Sequence, residues 1–460
     1  MQITELVLSE QVAYSVLLLG RKVFILILAM SDEIINPNEH LIIPDWINVK
    51  YFEKVLKQDQ PDYVEVLKFT PVAATPPGEN FTSTMLRIYV DLKLKDGTTK
   101  TKTYIFKTML PSDRGGKDIE EFGLFDKELL MYQRFLPAFE DLYKKAGWND
   151  IQLAPKCLLT EEREGNIHFI FEDLRVKNFK NVDRTKGLDM EHMTRSLHKL
   201  AEYHAASAVY ADQNGPYPKE FDSGFIVPTE KAKDFQLQLF KHKEAAYKNG
   251  IQNWGLPPSD AEIYVKNFPS IEQYWAQAKS TLEVNPNDFN VLIHGDFWSS
   301  NLMCNYHKDG SIDQVILVDF QIGKWGSPVQ DLLFFIIISA ANDIRLKEFD
   351  NFVRIYWERL VECLKVLQFK KPIPKLRELQ ADMYKKNNSF YAFFAVLNHL
   401  PIILFPSDKD SNLHSLSAET EEAENLRMRL LSNPSYGKVM KDIYPFLYNR
   451  GLLNFSDYDE

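Results

Sequence analysis

The segment His294-Gly295-Asp296-Phe297-Trp298-Ser299-Ser300-Asn301, followed by Val318-Asp319-Phe320-Gln321, sets two carboxylates and a carboxamide in an order that suits phosphoryl transfer. That chemistry needs a carboxylate to orient the attacking hydroxyl and accept its proton, and a divalent cation to neutralise the phosphate oxygens. Asp296 suits the first role. Magnesium is a hard cation that takes oxygen ligands, so the Asn301 amide oxygen and the Asp319 carboxylate suit the second. Alone, a His-Gly-Asp is more often a turn, and an Asp after a strand is usually a cap or a solvated loop residue. Three such groups in register point to a catalytic set. His294 has no partner His or Cys at metal spacing and reads as a hydrogen-bonded structural histidine beside the loop.

Elements on either side must hold these groups. Asn290–His294 and Asp313–Asp319 have apolar, partly β-branched centres and read as short strands whose exits carry the functional residues. The spacing matches the H-R-D-x-x-x-x-N loop and D-F-G element of protein kinases, with Gly295 for the arginine and Gln321 for the glycine. Upstream, Thr84–Leu94 alternates, with Leu86, Ile88, Val90, Leu92 and Leu94 on one face and Arg87, Tyr89, Asp91 and Lys93 on the other. Asp96-Gly97 turns the chain into Thr101–Thr108, where Lys107 emerges among apolar neighbours, the place of the phosphate-binding lysine of kinases. A helix is expected over Phe122–Phe135, with Glu128 placed to pair with Lys107 while Phe125, Leu129 and Tyr132 pack inward. Gly78–Thr84, with Ser83, offers backbone N–H groups and small hydroxyls for phosphates. The strand His168–Phe171 runs into Glu172-Asp173-Leu174, where backbone groups would meet an adenine edge.

Together, Gly78–Ser83, Phe106-Lys107, Glu172-Asp173-Leu174, the H-G-D-x-W-x-x-N loop at 294–301 and the D-F-Q-x-x-x-x-G-S-P-x-x-D run at 319–331 resemble the ecdysteroid kinase-like family. That family is related to choline kinases and aminoglycoside phosphotransferases and is abundant in insects; the similarity spans about Ile43 to Leu453. The resemblance implies an α+β, bilobal, protein kinase-like fold with a small β-rich N-lobe and a larger, mainly helical C-lobe. It also implies an ATP- and Mg2+-dependent kinase for a small-molecule alcohol, with Asp296 as catalytic aspartate and Asn301 and Asp319 as metal ligands. The expected map is an N-terminal extension of unclear role at 1–44, a nucleotide-binding lobe at 45–174, and a lobe at 175–460 carrying the catalytic loop, metal site and acceptor pocket.

Ser327-Pro328-Val329-Gln330 reads as N-cap, first-turn proline and capping-box glutamine, so a helix should begin there. Its Asp331 either hydrogen-bonds back to the catalytic region or interacts with the helix dipole; both accounts fit. The continuation Leu332–Ile338 is apolar all round and too short to span a bilayer, hence a buried core helix. In the helix Arg195–Ala206, His198 and His204 read as packed or solvated.

A chain of 460 residues, 45% hydrophobic, can bury a large core, and its net charge of −10 without a basic run gives no electrostatic reason to bind nucleic acid. Three scattered cysteines, Cys157, Cys304 and Cys363, argue against a disulfide framework and suit a reducing cytoplasm. Val12–Met30 is apolar but broken by Arg21-Lys22, so no stable membrane insertion is expected. The sequence leaves the oligomeric state open. The aromatic run Phe390–Phe405 and the segment with Phe235, Leu237, Leu239, Phe240, Tyr247 and Trp254 are candidate walls of an acceptor cleft, core packing being the role expected of most. Their bulk favours a hydrophobic alcohol, an ecdysteroid being the example the family implies. A polar acceptor of the choline or aminoglycoside kind, or a non-catalytic ligand-binding role, are the alternatives. Intact Lys107, Asp296, Asn301 and Asp319 count against the last.

Overall fold

The computed structural model describes residues 43–458 apart from 76–81, 111–115, 117–119, 164 and 406–416. The apolar N-terminal segment and the Gly78–Phe81 part of the expected phosphate loop therefore lie outside the described residues.

The small lobe is one antiparallel sheet of β1 (Tyr63–Ala73), β2 (Ser83–Leu94), β3 (Thr99–Met109), β4 (Cys157–Arg163) and β5 (Asn166–Glu172), in the order β1-β2-β3-β5-β4. The alternation in β2 is realised: Leu86, Ile88, Val90 and Leu92 pack with Tyr104 and Phe106 of β3 against Phe52, Val55 and Leu56 of the helix Val49–Asp59. Asn48 starts that helix by accepting from the backbone N–H groups of Lys50 and Tyr51. Asp96-Gly97 makes the β2–β3 turn, with Gly97 at φ +86°, a conformation that costs a residue without Cβ little. The opposite sheet face meets Phe125 and Tyr132, whose rings lie 6.0 Å from Phe169 and 4.7 Å from Phe171.

The helix expected over 122–135 is subdivided. A short 3-10 turn, Glu120–Phe122, gives way at left-handed Gly123 (φ +57°) to the helix Leu124–Leu130, a π-helical turn Met131–Phe135, and the helix Leu136–Lys145. Pro137 near the start of the last helix has no N–H to donate, which loosens the register before it.

The large lobe is helical around an aromatic and aliphatic core continuous from Phe122 to Phe455. Two small β elements cross its upper face: a ribbon of β7 (Val291–Ile293) and β10 (Lys324–Gly326), and a sheet in which β8 (Leu302–Tyr306) lies between β6 (Lys180–Asn181) and β9 (Ile312–Leu317). Below them runs the helix Val329–Ser339, every residue of it buried, as its uniform apolarity requires. Its start differs from expectation. Pro328 is the capping residue and no capping box forms; Ser327 Oγ donates to Asp382 at 3.2 Å and Gln330 Nε2 to Asn388 at 3.0 Å. Both side chains are buried, so tertiary partners displace the local ones. Most of the candidate cleft aromatics are core: Phe240 stacks on Tyr274 at 4.0 Å, and Tyr247 packs against Trp254 and Phe393, while Phe235 and Phe405 are half-buried.

Candidate active site

Lys107 leaves β3 buried, and its Nζ lies 2.6 Å from Glu128 and 2.7 Å from Asp319. Strand, helix and the turn after β9 thus meet at one ammonium group. Burial opposes the charge, but Asp319 and Glu128 outweigh it and hold Lys107 up at about 12, so it stays cationic. Burial raises the Glu128 carboxyl, Lys107 pulling it back and Asp319 adding to the rise.

Asp319 sits at φ +69°, left-handed backbone that a non-glycine residue adopts at a cost of about 1–2 kcal/mol. The following side chain holds it there: Phe320 is buried with its ring 4.8 Å from His294, 5.6 Å from Tyr203 and 6.0 Å from Tyr132. The left-handed residue turns the chain out of the sheet and leaves the carboxylate facing Lys107. Buried Gln321 donates to Thr82 Oγ1 at 2.8 Å, tying the start of β2 to the same turn.

The loop after β7 carries Asp296. Gly295 is at φ +80°, and a Cβ there would stand 2.4 Å from the Ile322 carbonyl oxygen, so the loop requires glycine. Asp331 holds the loop from below, accepting the N–H of His294 at 2.7 Å and of Gly295 at 2.9 Å. His204 bridges Asp331 (3.1 Å) to Tyr356 (2.7 Å). Of the two accounts open for Asp331, the structure selects the hydrogen bonds to the catalytic region. His294 is fully buried and its Nε2 donates to the Val318 carbonyl at 3.1 Å, joining this loop to the strand exit that bears Asp319.

Asn301, in a 3-10 turn, spends its amide nitrogen on Asp296, at 2.9 Å to the backbone carbonyl and 2.8 Å to Oδ2, and neither bond uses its Oδ1. Burial pushes the Asp296 carboxyl up, but His399, His294 and Asn301 together bring it below the ordinary range, so it is ionised near neutrality. His399 is the residue sequence reasoning passed over: its Nε2 is 3.6 Å from Asp296 Oδ1. A His two residues before Pro401 in an apolar run was the available signal, since proline there disturbs the helix and redirects its neighbours.

The other expected nucleotide contacts are placed less directly. Ser83 is buried at the start of β2. The Glu172 carboxylate is taken up by Lys156 N–H, Gln152 and Lys177. Leu174 packs on Phe179 and Ile316, and its carbonyl accepts from Phe179 N–H. The β5 exit is pinned by Asp173, which pairs with buried Arg87 at 2.8 Å. The polar side chains at this exit are thus engaged within the protein.

Among the described residues no cluster of three or more His, Cys, Asp or Glu could hold a metal alone. The donor set of Asp319 carboxylate and Asn301 amide oxygen fits Mg2+, which is held by one or two carboxylates with substrate phosphates and water. Lys107 is a cation of the kind that would suit phosphate oxygens.

A model of the ecdysteroid kinase-like family matches residues 77–369, well over half of the chain. The chain belongs to the ecdysteroid kinase-like family. The match takes in both halves of the site, from the start of β2 through the Asp331 helix, and this family membership with the two-lobed α+β architecture supports a small-molecule kinase. Comparison with curated proteins gives no match. Among solved structures, one described as "Putative fructosamine-3-kinase" from Haemophilus somnus 129PT is similar at 13% identity and a TM-score of 0.33, covering 84% of this chain and 99% of that one. Among the described residues, no helix is long and apolar enough to cross a membrane.

Proposed function

We propose that this family member transfers the γ-phosphoryl group of ATP, with Mg2+, to a hydroxyl of a hydrophobic alcohol, an ecdysteroid or related steroid being the leading class. The observation that carries the proposal is the convergence of Lys107, Glu128 and Asp319 on one ion-paired centre beside an ionised Asp296 held by Asn301. A ligand-storage protein has no use for that set.

Bound ATP and Mg2+ would bring the phosphoryl group and the charge neutralisation its transfer requires. In the proposed mechanism Lys107 grips phosphate oxygens and is aimed by Glu128, while Asp319 and Asn301 offer oxygen ligands to the cation. Asp296 orients the attacking hydroxyl through its carboxylate. Its lowered pKa makes it a weak base, suited to taking the proton late, as a loose transition state with little proton transfer demands. A hydrophobic acceptor is supported by Trp298 of the same loop, which is partly exposed and lies with its ring 5.9 Å from that of His399, beside Asp296. The three free cysteines, at least two of them buried, suit an enzyme of the cytoplasm.

The test is incubation with γ-labelled ATP, Mg2+ and a panel of steroid, terpenoid and amino alcohols beside Asp296→Ala. Label should enter a hydrophobic alcohol and vanish in the variant, with nucleotide binding nearly intact. Turnover surviving in Asp296→Ala, or label entering only amino alcohols, defeats the proposal.

A further inference from the structure

We infer that His399 positions the acceptor, its Nε2–H and Asp296 Oδ1 holding the same hydroxyl from two sides. This deepens the proposed function and rests on it. Asp296 Oδ2 is engaged by Asn301, so Oδ1 is the oxygen left to face a substrate. His399 Nε2 stands 3.6 Å from that Oδ1, long for a direct hydrogen bond, yet close enough for one oxygen at ordinary hydrogen-bond distance from both. Both side chains reach solvent, 24% exposed for His399 and 15% for Asp296, so a ligand can enter between them.

The direction of the imidazole hydrogen follows from what surrounds the ring. His399 Nδ1 is buried without a hydrogen-bond partner, among the rings of Phe334 at 4.7 Å, Phe394 at 5.2 Å and Trp298 at 5.9 Å. A hydrogen on Nδ1 would be a buried donor with nothing to accept it and would set the Nε2 lone pair against a carboxylate. The hydrogen therefore belongs on Nε2, pointing at the space beside Asp296. A hydroxyl there donates to Asp296 and accepts from His399, which fixes the lone pair left for attack. As its oxygen bonds the γ-phosphorus and the bond to the ADP oxygen breaks, the hydroxyl proton passes to Asp296 and His399 keeps its own hydrogen.

The backbone around His399 is built to aim it. His399 closes a π-helical turn, Ala395–His399, in which Leu400 N–H reaches back to the Ala395 carbonyl, and Pro401 follows. Proline cannot supply the next bond of that turn; the carbonyl it would have used, Val396, accepts from the Tyr436 hydroxyl at 2.9 Å instead. Single π turns of this kind are frequent at functional sites because they rotate one side chain out of helical register. The occupant that fits is a hydroxyl on an apolar carbon frame, since the partly exposed Trp298 ring borders the imidazole.

The experiment compares the full-length chain with His399→Phe and His399→Gln, using the panel alcohol that takes up label. It reads kcat and KM for that alcohol, the Kd for MgATP, ATP hydrolysis to water without alcohol, and the thermal midpoint. Phenylalanine keeps the ring contacts and loses the donor; glutamine restores an N–H at the reach of Nε2. His399→Phe should lose about tenfold or more in kcat/KM for the alcohol, the worth of one hydrogen bond, with MgATP affinity and water hydrolysis within about twofold, and His399→Gln should recover much of the loss. Unchanged alcohol kinetics in His399→Phe, parallel losses in nucleotide binding, or a glutamine variant as poor as phenylalanine overturns the inference. A parent chain that labels no alcohol fails at the level of the proposed function and takes this inference with it.

Discussion

Replacing Asp331 by asparagine separates the two roles open to a carboxylate in the first turn of a helix. If it served only the helix dipole, the change would cost about 0.3–1 kcal/mol. Instead Asp331 is buried and accepts from two loop N–H groups, at 2.7 and 2.9 Å, with His204 at 3.1 Å. Asparagine has one accepting oxygen, so one loop N–H must face an NH2 group. Losing one charge-assisted bond and weakening another costs roughly 2–4 kcal/mol. At roughly 2 °C per kcal/mol for a large domain, the melting midpoint should fall by about 5 °C. Because Gly295 adjoins Asp296, an ångström of loop displacement should lower transfer by about 10²-fold, while Lys107, Glu128 and Asp319 keep nucleotide affinity. Differential scanning calorimetry, steady-state transfer to the panel alcohol and MgATP titration read the three quantities. A midpoint loss under about 2 °C, the equivalent of about 1 kcal/mol, with transfer within threefold would refute the hydrogen-bond account and restore the dipole one.

Gly295→Ala should reduce transfer by at least about 10²-fold with MgATP binding retained, because the new Cβ meets the Ile322 carbonyl at 2.4 Å on left-handed backbone; normal turnover would show that the loop can relax. Glu128→Gln should raise KM for ATP about tenfold and lower the midpoint, because it leaves buried Lys107 with Asp319 as its remaining carboxylate; a midpoint unchanged or higher would show that the ionised Glu128 is a net cost in the fold. Burial holds Lys324 down at about 7, with Nζ donating to the Thr281 carbonyl at 2.8 Å, and Lys127 at about 8. Above pH 7 the unfolded chain therefore binds the Lys324 proton and the fold does not, so stability rises with pH towards the ordinary lysine value. Lys324→Met should flatten that rise between pH 7 and 8, before Lys127 contributes, as read from urea midpoints; an unaltered slope would mean Lys324 stays charged in the fold.

Much of the site was legible because its parts are local. The alternation of Leu86, Ile88, Val90 and Leu92 and the turn at Asp96-Gly97 put Lys107 on the second strand of a hairpin, and the structure pairs it with Glu128 as the spacing implied. His294 as a structural bridge and the uniformly buried 329–339 helix followed from their immediate surroundings. The capping box at Ser327 did not form, because Asp382 and the buried Asn388 made better partners than the helix's own N–H groups. The aromatic runs were recognisable as mostly core, and His399, which turns from one of them towards Asp296, was not.

The sequence by itself determined the types and local order of the candidate groups: an aspartate with an asparagine one short turn on, a second aspartate after a strand, a lysine in a hairpin, and a glycine where no Cβ fits. These rest on short-range backbone geometry, which residue type and spacing encode directly. Tertiary structure alone decided which groups meet: Asp319 with Lys107, Asp331 with the 294–295 amides, Arg87 with Asp173, and His399 with Asp296. Each of those pairs joins segments far apart in the chain. Periodicity says only that such a side chain faces inward, and its partner is fixed when packing of the two lobes removes water and leaves the buried polar groups one another to satisfy.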